Sequence, residues 1–198
     1  MKVFRSFLAT LLFVVLLLAI YWTHVAFFRI NVIFYAAIAD GVVAAVVAGV
    51  VLCLARYFCA FNRFEKFQLI IFWLLAGYAF AISVPTVIDR SLSFYILEKL
   101  QQRGGGIRLD RFGDVFTKEY MQEHHLIDVR LTEQGESGTI RIDNGCVKLT
   151  AKGEHIAQFS RWFRKNLLPK QRLLMGEYTD ALTDPFRLST DVPDYRCR

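Results

Sequence analysis

The sequence predicts an α-helical membrane protein in which three transmembrane helices precede a small α+β soluble domain. Two observations decide this. Three long apolar stretches fill the first 85 residues: Phe7 to Phe28 carries no acid, Lys or Arg, Val32 to Ala55 carries only Asp40, and Phe67 to Pro85 carries none. Each approaches the roughly 20 residues a helix needs to cross the ~30 Å hydrocarbon layer. Charge is also divided unevenly, because residues 1–85 hold six Lys/Arg and two acids, leaving 18 basic and 16 acidic residues for the remainder. The organisation read from this is a membrane region over 1–85, a soluble domain over 86–182 and an extended tail over 183–198. Most of the net charge of +6 thus lies in loops that set topology, and the high isoelectric point is poor evidence for nucleic-acid binding.

In the first stretch, Lys2 and Arg5 ahead of an apolar core imitate a secretory signal. The core runs on through Tyr21, Trp22, Phe27 and Phe28 without a small-x-small site, so an anchor is expected. Loop cations favour one orientation: Lys2 and Arg5 with Arg56, Arg63 and Lys66 on one side, and Arg29 alone on the other. The N-terminus is expected inside a bacterial-type inner (plasma) membrane and the C-terminal domain outside it. In the second stretch Ala37, Gly41, Ala45, Gly49 and Cys53 recur every four residues, a stripe that lets helix backbones approach closely. Its occupant is either the chain's own first and third spans or a helix of another integral membrane protein. Asp40 interrupts the same helix, where an unpaired carboxylate costs several kcal/mol. His24 and Arg29 are the candidate partners, and a structural ion pair or partner contact is expected ahead of transport.

From Ser91 onward Leu92, Ile96 and Leu100 open an amphipathic helix that Ser91 caps and Gly104-Gly105-Gly106 ends. A short extended piece, Ile107 to Leu109, leads to a second helix capped by Asp110, with Phe112, Val115 or Phe116, and Tyr120 on one side. A third helix runs from about Ile127 to Glu136. Thr139 to Ile142 and Cys146 to Leu149 flank Asp143-Asn144-Gly145 as a hairpin whose Ile140, Ile142, Val147 and Leu149 alternate inward. Thr150 caps a last helix that Pro169 interrupts. Cys53, Cys59, Cys146 and Cys197 form no CxxC pair and read as unpaired packing residues.

Arg130-Leu131, Ser137-Gly138-Thr139-Ile140, Asp143-Asn144-Gly145 and Leu149-Thr150-Ala151-Lys152-Gly153 resemble the winged-helix superfamily in its MarR-like form, over about residues 91–168. The resemblance implies a winged-helix-like domain that binds DNA, RNA or protein. The departure from the DNA-binding pattern is on the third helix, where Asp128, Arg130, Glu133 and Glu136 sum to a negative charge that a duplex would repel. Those four residues are expected to form a protein-binding surface instead. The strongest basic cluster, Arg161, Arg164, Lys165, Lys170 and Arg172, is interleaved with Phe159, Trp162, Phe163, Leu167 and Leu168. Cations and rings on one helix suit a membrane surface, so Arg161, Trp162, Arg164 and Lys165 are expected at lipid headgroups.

His24, His124, His125 and His155 have no metal-ligand spacing. Gly135-Glu136-Ser137-Gly138 is no nucleophile elbow, and neither an HExxH nor a Walker pattern occurs. No catalysis, cofactor or metal is therefore expected. The functional expectation is an assembly or accessory subunit of a membrane complex, with a polysaccharide or lipid-linked sugar machine as host by analogy. A membrane-tethered winged-helix transcription regulator is the alternative.

Overall fold

The computed structural model describes residues 2–187 and Cys197. The chain divides into two compact units, Met1–His124 and His125–Arg198.

In the first unit, α1 (Lys2–Phe27), α2 (Ile33–Leu54) and α3 (Arg63–Arg90) are long and apolar enough to cross a membrane. Asn62 starts α3 with a capping box, accepting from the Glu65 backbone N–H at 2.8 Å while Glu65 Oε2 accepts from the Asn62 N–H at 2.8 Å. Lys2 Nζ donates to Glu65 Oε1 at 2.8 Å, which ties the start of α1 to the start of α3. The third span passes through Pro85 rather than ending there. Proline lacks an N–H and its ring crowds the preceding turn, and a π-helical stretch over Ile82–Thr86 absorbs the defect before Val87–Arg90 resumes.

The core of this unit is built on Trp73, which is fully buried, stacks on Phe13 at 5.6 Å and donates its indole N–H to Thr10 Oγ1 at 3.2 Å. Around it lie Ala9, Leu17, Ala44, Ala48 and Leu52. Beyond the spans, α4 (Leu92–Gln102) is capped by Ser91, whose hydroxyl accepts from Phe94 N–H. A 3₁₀ turn, Leu109–Arg111, then leads into α5, a helix over 112–123 whose middle, Val115–Tyr120, is π-helical. Of the extended piece expected over Ile107 to Leu109, Arg108 is extended and Leu109 already enters the 3₁₀ turn, and Asp110 pairs with Arg108 at 2.8 Å instead of capping α5. The expected face of α4 is met in part, with Ile96 and Leu100 half-buried. Tyr95 and Lys99 are buried, whereas Leu92 is exposed.

In the second unit, α6 (Leu126–Glu136), β1 (Ile140–Asp143), β2 (Cys146–Leu149) and α7 (Ala151–Asn166) follow the expected order. The hairpin register pairs Ile140 with Leu149 and Asp143 with Cys146, and Asn144 and Gly145 supply the two positive φ angles of the turn. Thr150 caps α7, its hydroxyl accepting from Gly153 N–H at 3.1 Å. The same hydroxyl sits 2.8 Å from Gly138 O and 3.0 Å from Thr139 O. A second hairpin that the sequence reading did not include, β3 (Arg172–Leu174) with β4 (Glu177–Thr179), turns at Met175 and Gly176. Two cysteines read as unpaired are joined: Cys146 and Cys197 form a disulfide with Cα atoms 6.0 Å apart. Apart from Cys197, the expected tail beyond Arg187 lies outside the described residues.

The apolar residues of the first hairpin do share a face, yet Ile142, Val147 and Leu149 on it are each about half exposed or more rather than turned into a core. Among the described residues of this unit only Thr139 and Gly153 are buried.

Candidate functional site

The small-residue stripe of α2 is filled by the chain itself. Ala37, Gly41, Ala45 and Gly49 are all buried. Gly41 meets Gly77 of α3 so closely that a Cβ on Gly41 would lie 3.2 Å from Gly77 Cα, and one on Gly49 would lie 3.3 Å from Ile70 Cδ1. Backbone contact of this kind is what small residues permit in lipid. Of the two expected occupants of this stripe, the structure has the chain's own third span at Gly41 and Gly49. Cys53, the last member of the stripe, is exposed.

The polar centre of the membrane region lies beside that stripe. Asp40 is buried on α2, and Nδ1 of His24 on α1 is hydrogen-bonded to Asp40 Oδ1 at 2.7 Å. Asp40 is therefore met by His24 and not by Arg29. The second carboxylate oxygen, Oδ2, is enclosed without a hydrogen-bond partner. The imidazole remains 29% exposed, and the pair faces an open, mostly apolar cleft of about 430 Å³ lined by Ala19, Ile20, Thr23 and Phe28. A half-satisfied acid beside a partly exposed imidazole is an incomplete polar network that is costly in hydrocarbon.

A second polar cluster, which the sequence reading missed, joins α4 to α5. Lys99 Nζ is buried between Glu119, at 2.8 Å, and Glu123, at 2.6 Å, and Tyr95 donates its hydroxyl proton to Glu123 at 3.0 Å. The two carboxylates, hydrogen-bonded by Lys99, are held below the usual range, and their hydrogen bonds raise the Lys99 ammonium above its own. Burial, then the bond to Glu123, raises the Tyr95 phenol. Rings of Tyr95, Tyr120 and His124 close over the cluster with centroids 4.5 to 5.2 Å apart. The signal in the sequence was two four-residue spacings, Tyr95 to Lys99 and Glu119 to Glu123, which complement each other only once the helices pack.

On α6 the four expected surface residues are partly committed to one another: Arg130 pairs with Glu133 at 2.8 Å, while Asp128 and Glu136 are exposed. On α7, Arg161, Trp162 and Lys165 are exposed and Arg164 is half-buried. Among the described residues, no three His, Cys, Asp or Glu side chains are grouped to hold a metal ion. Comparison with protein-family models, curated proteins and solved structures found no match to this chain.

Proposed function

We propose that the protein is a non-catalytic accessory subunit of a membrane complex and that it binds another integral membrane protein through the cleft between α1 and α2. The observation that carries this is the His24–Asp40 pair. A polar pair directed inward would need no cover, but this one faces an open cleft and leaves Asp40 Oδ2 without a donor. A partner helix offering a hydroxyl or a backbone group at that depth would fill the cleft and bond the exposed edge of the His24 ring. The winged-helix-like region then acts as a protein-binding module through α6 and the first hairpin, whose Ile142, Val147 and Leu149 are about half exposed or more.

The orientation proposed is N-terminus inside and soluble domain outside, at a bacterial-type inner membrane. The loop cations favour it, and so does the Cys146–Cys197 disulfide, because such bonds persist in oxidising compartments. The same bond counts against a cytosolic transcription regulator.

The test is recovery of crosslinked partners from intact membranes. His24→Leu combined with Asp40→Leu removes both polar groups, so insertion should persist while a crosslinker placed at Thr23→Cys ceases to capture a membrane partner. Unchanged capture by that variant would remove the cleft from the interface and the proposal with it.

A further inference from the structure

We propose that the groove on α7 is a binding site for an anionic phospholipid, with Arg164 and Arg172 holding the phosphate and the apolar wall taking acyl chain. The groove has a volume of about 530 Å³ and is lined by Phe159, Phe163, Leu168 and Leu182 together with the two arginines. Its chemistry is that of an amphiphile site, a hydrocarbon surface with cations at the rim.

Charge selects the occupant. From His155 to Gly176 the chain contains no acid, while Arg161, Arg164, Lys165, Lys170 and Arg172 add five positive charges. None of these five forms an ion pair among the described residues, in contrast to Arg103, Arg108, Arg130 and Arg187, each of which meets a carboxylate. Arg164 and Arg172, without a carboxylate partner among the described residues, suit an anion at the groove, and the apolar wall suits an anion that carries hydrocarbon. Trp162, 53% exposed, and Phe159, 60% exposed, project from the same helix as rings do at the headgroup level of a bilayer. Nucleic acid offers the charge without the hydrocarbon, and a neutral lipid offers the hydrocarbon without the charge. The inference requires a membrane-anchored chain but not the accessory-subunit reading, and no partner protein enters its test.

The experiment is hydrogen exchange of the full chain in nanodiscs made of phosphatidylcholine alone or with about one third phosphatidylglycerol. Amides over 156–168 should exchange more slowly in the anionic discs, and each cation removed should weaken the response about five-fold. Arg164→Gln with Arg172→Gln should abolish it, whereas Arg141→Gln with Lys148→Gln on the first hairpin should leave it intact. The far-ultraviolet spectrum and the exchange of the Thr150 amide, bonded to Thr139 O at 3.1 Å in the same unit, check that each variant remains folded. If the double-arginine variant is misfolded, Phe163→Gln, which keeps both charges, must weaken the response. Equal exchange in both discs would overturn the site. So would an equal loss in the hairpin variant, since the attraction would then be diffuse. Reproduction of the protection by inorganic phosphate in phosphatidylcholine discs would replace the lipid by a free anion, and reproduction by short duplex DNA would replace it by nucleic acid.

Discussion

Gly153 should be the least replaceable residue of the second unit. A Cβ built on it falls 2.1 Å from Thr139 O and 2.8 Å from Leu149 Cδ1, where ordinary contact begins at 3.4 Å. Gly153→Ala therefore forces the start of α7 to retreat by more than an ångström. The retreat draws the Thr150 hydroxyl away from Gly138 O and Thr139 O and loosens the 3.1 Å cap to residue 153. A lost N-cap costs about 1–2 kcal/mol, and forcing volume into a filled site costs about 1–3 kcal/mol. Together the loss is about 2–5 kcal/mol. The unit has no buried apolar side chain among its described residues to offset this. The assay is hydrogen exchange on the full chain at two amides across the joint, Thr139 N–H to Gln134 O at 3.0 Å and Thr150 N–H to Thr139 O at 3.1 Å. Both should accelerate at least about thirty-fold, the equivalent of 2 kcal/mol. Gly135→Ala is the control, since its Cβ would meet open space in α6 and alanine improves a helix interior by about 1 kcal/mol. If Gly153→Ala leaves both amides as slow as in the parent, the joint is not held by that close approach.

Gly41→Val should push α2 from α3 and destabilise the bundle by about 1–3 kcal/mol, read as a lower thermal midpoint in detergent, whereas Val at the half-buried Ala36, five residues earlier on α2, is the comparison. The Lys99 cluster fixes a pH window. Lowered Glu119 and Glu123 stabilise above the ordinary glutamate value of about 4.3 and lose that contribution as pH falls through their folded values, while raised Lys99 contributes fully below about 10.4 and is lost only as pH rises beyond. Exchange protection at α4 should therefore be flat between those limits and fall on the acid side, and Lys99→Met should flatten the acid limb; an unaltered limb would dissociate the cluster from it. For topology, a periplasm-active reporter fused after Arg198 should be active and one near Asn62 silent, and Cys146→Ser should abolish the mobility shift that reductant produces in the parent chain.

What could be read in the sequence and what could not separates by distance along the chain. The three spans were legible because hydrocarbon thickness acts on composition averaged over a whole helix. The Asn144-Gly145 turn and the caps at Ser91 and Thr150 were legible because each is decided within four residues. The most deeply buried positions of α4 were not, since Leu92, Ile96 and Leu100 form a four-residue stripe just as Tyr95 and Lys99 do. The choice between them is made by Glu119 and Glu123, twenty residues or more away, which make burial of a lysine tolerable. The Cys146–Cys197 bond is likewise decided by a proximity 51 residues apart in sequence.

The same distinction moves the candidate site. A stripe of small residues says that a helix will approach closely but not whose helix it is, and Gly77 of α3 answers that for Gly41. Alternation in the first hairpin says which residues share a face but not whether anything covers it, and Ile142, Val147 and Leu149 are about half exposed or more. Asp40 was legible as an expense in lipid, and the choice of His24 over Arg29 followed only from the packing of α1 on α2. With the stripe occupied from within, the surfaces proposed for another protein are the His24–Asp40 cleft in one unit and α6 with the exposed hairpin in the other. A partner that used both would have to present a transmembrane helix and a soluble face together. A single-span helper fits that requirement less well than a larger membrane protein with a domain on the same side.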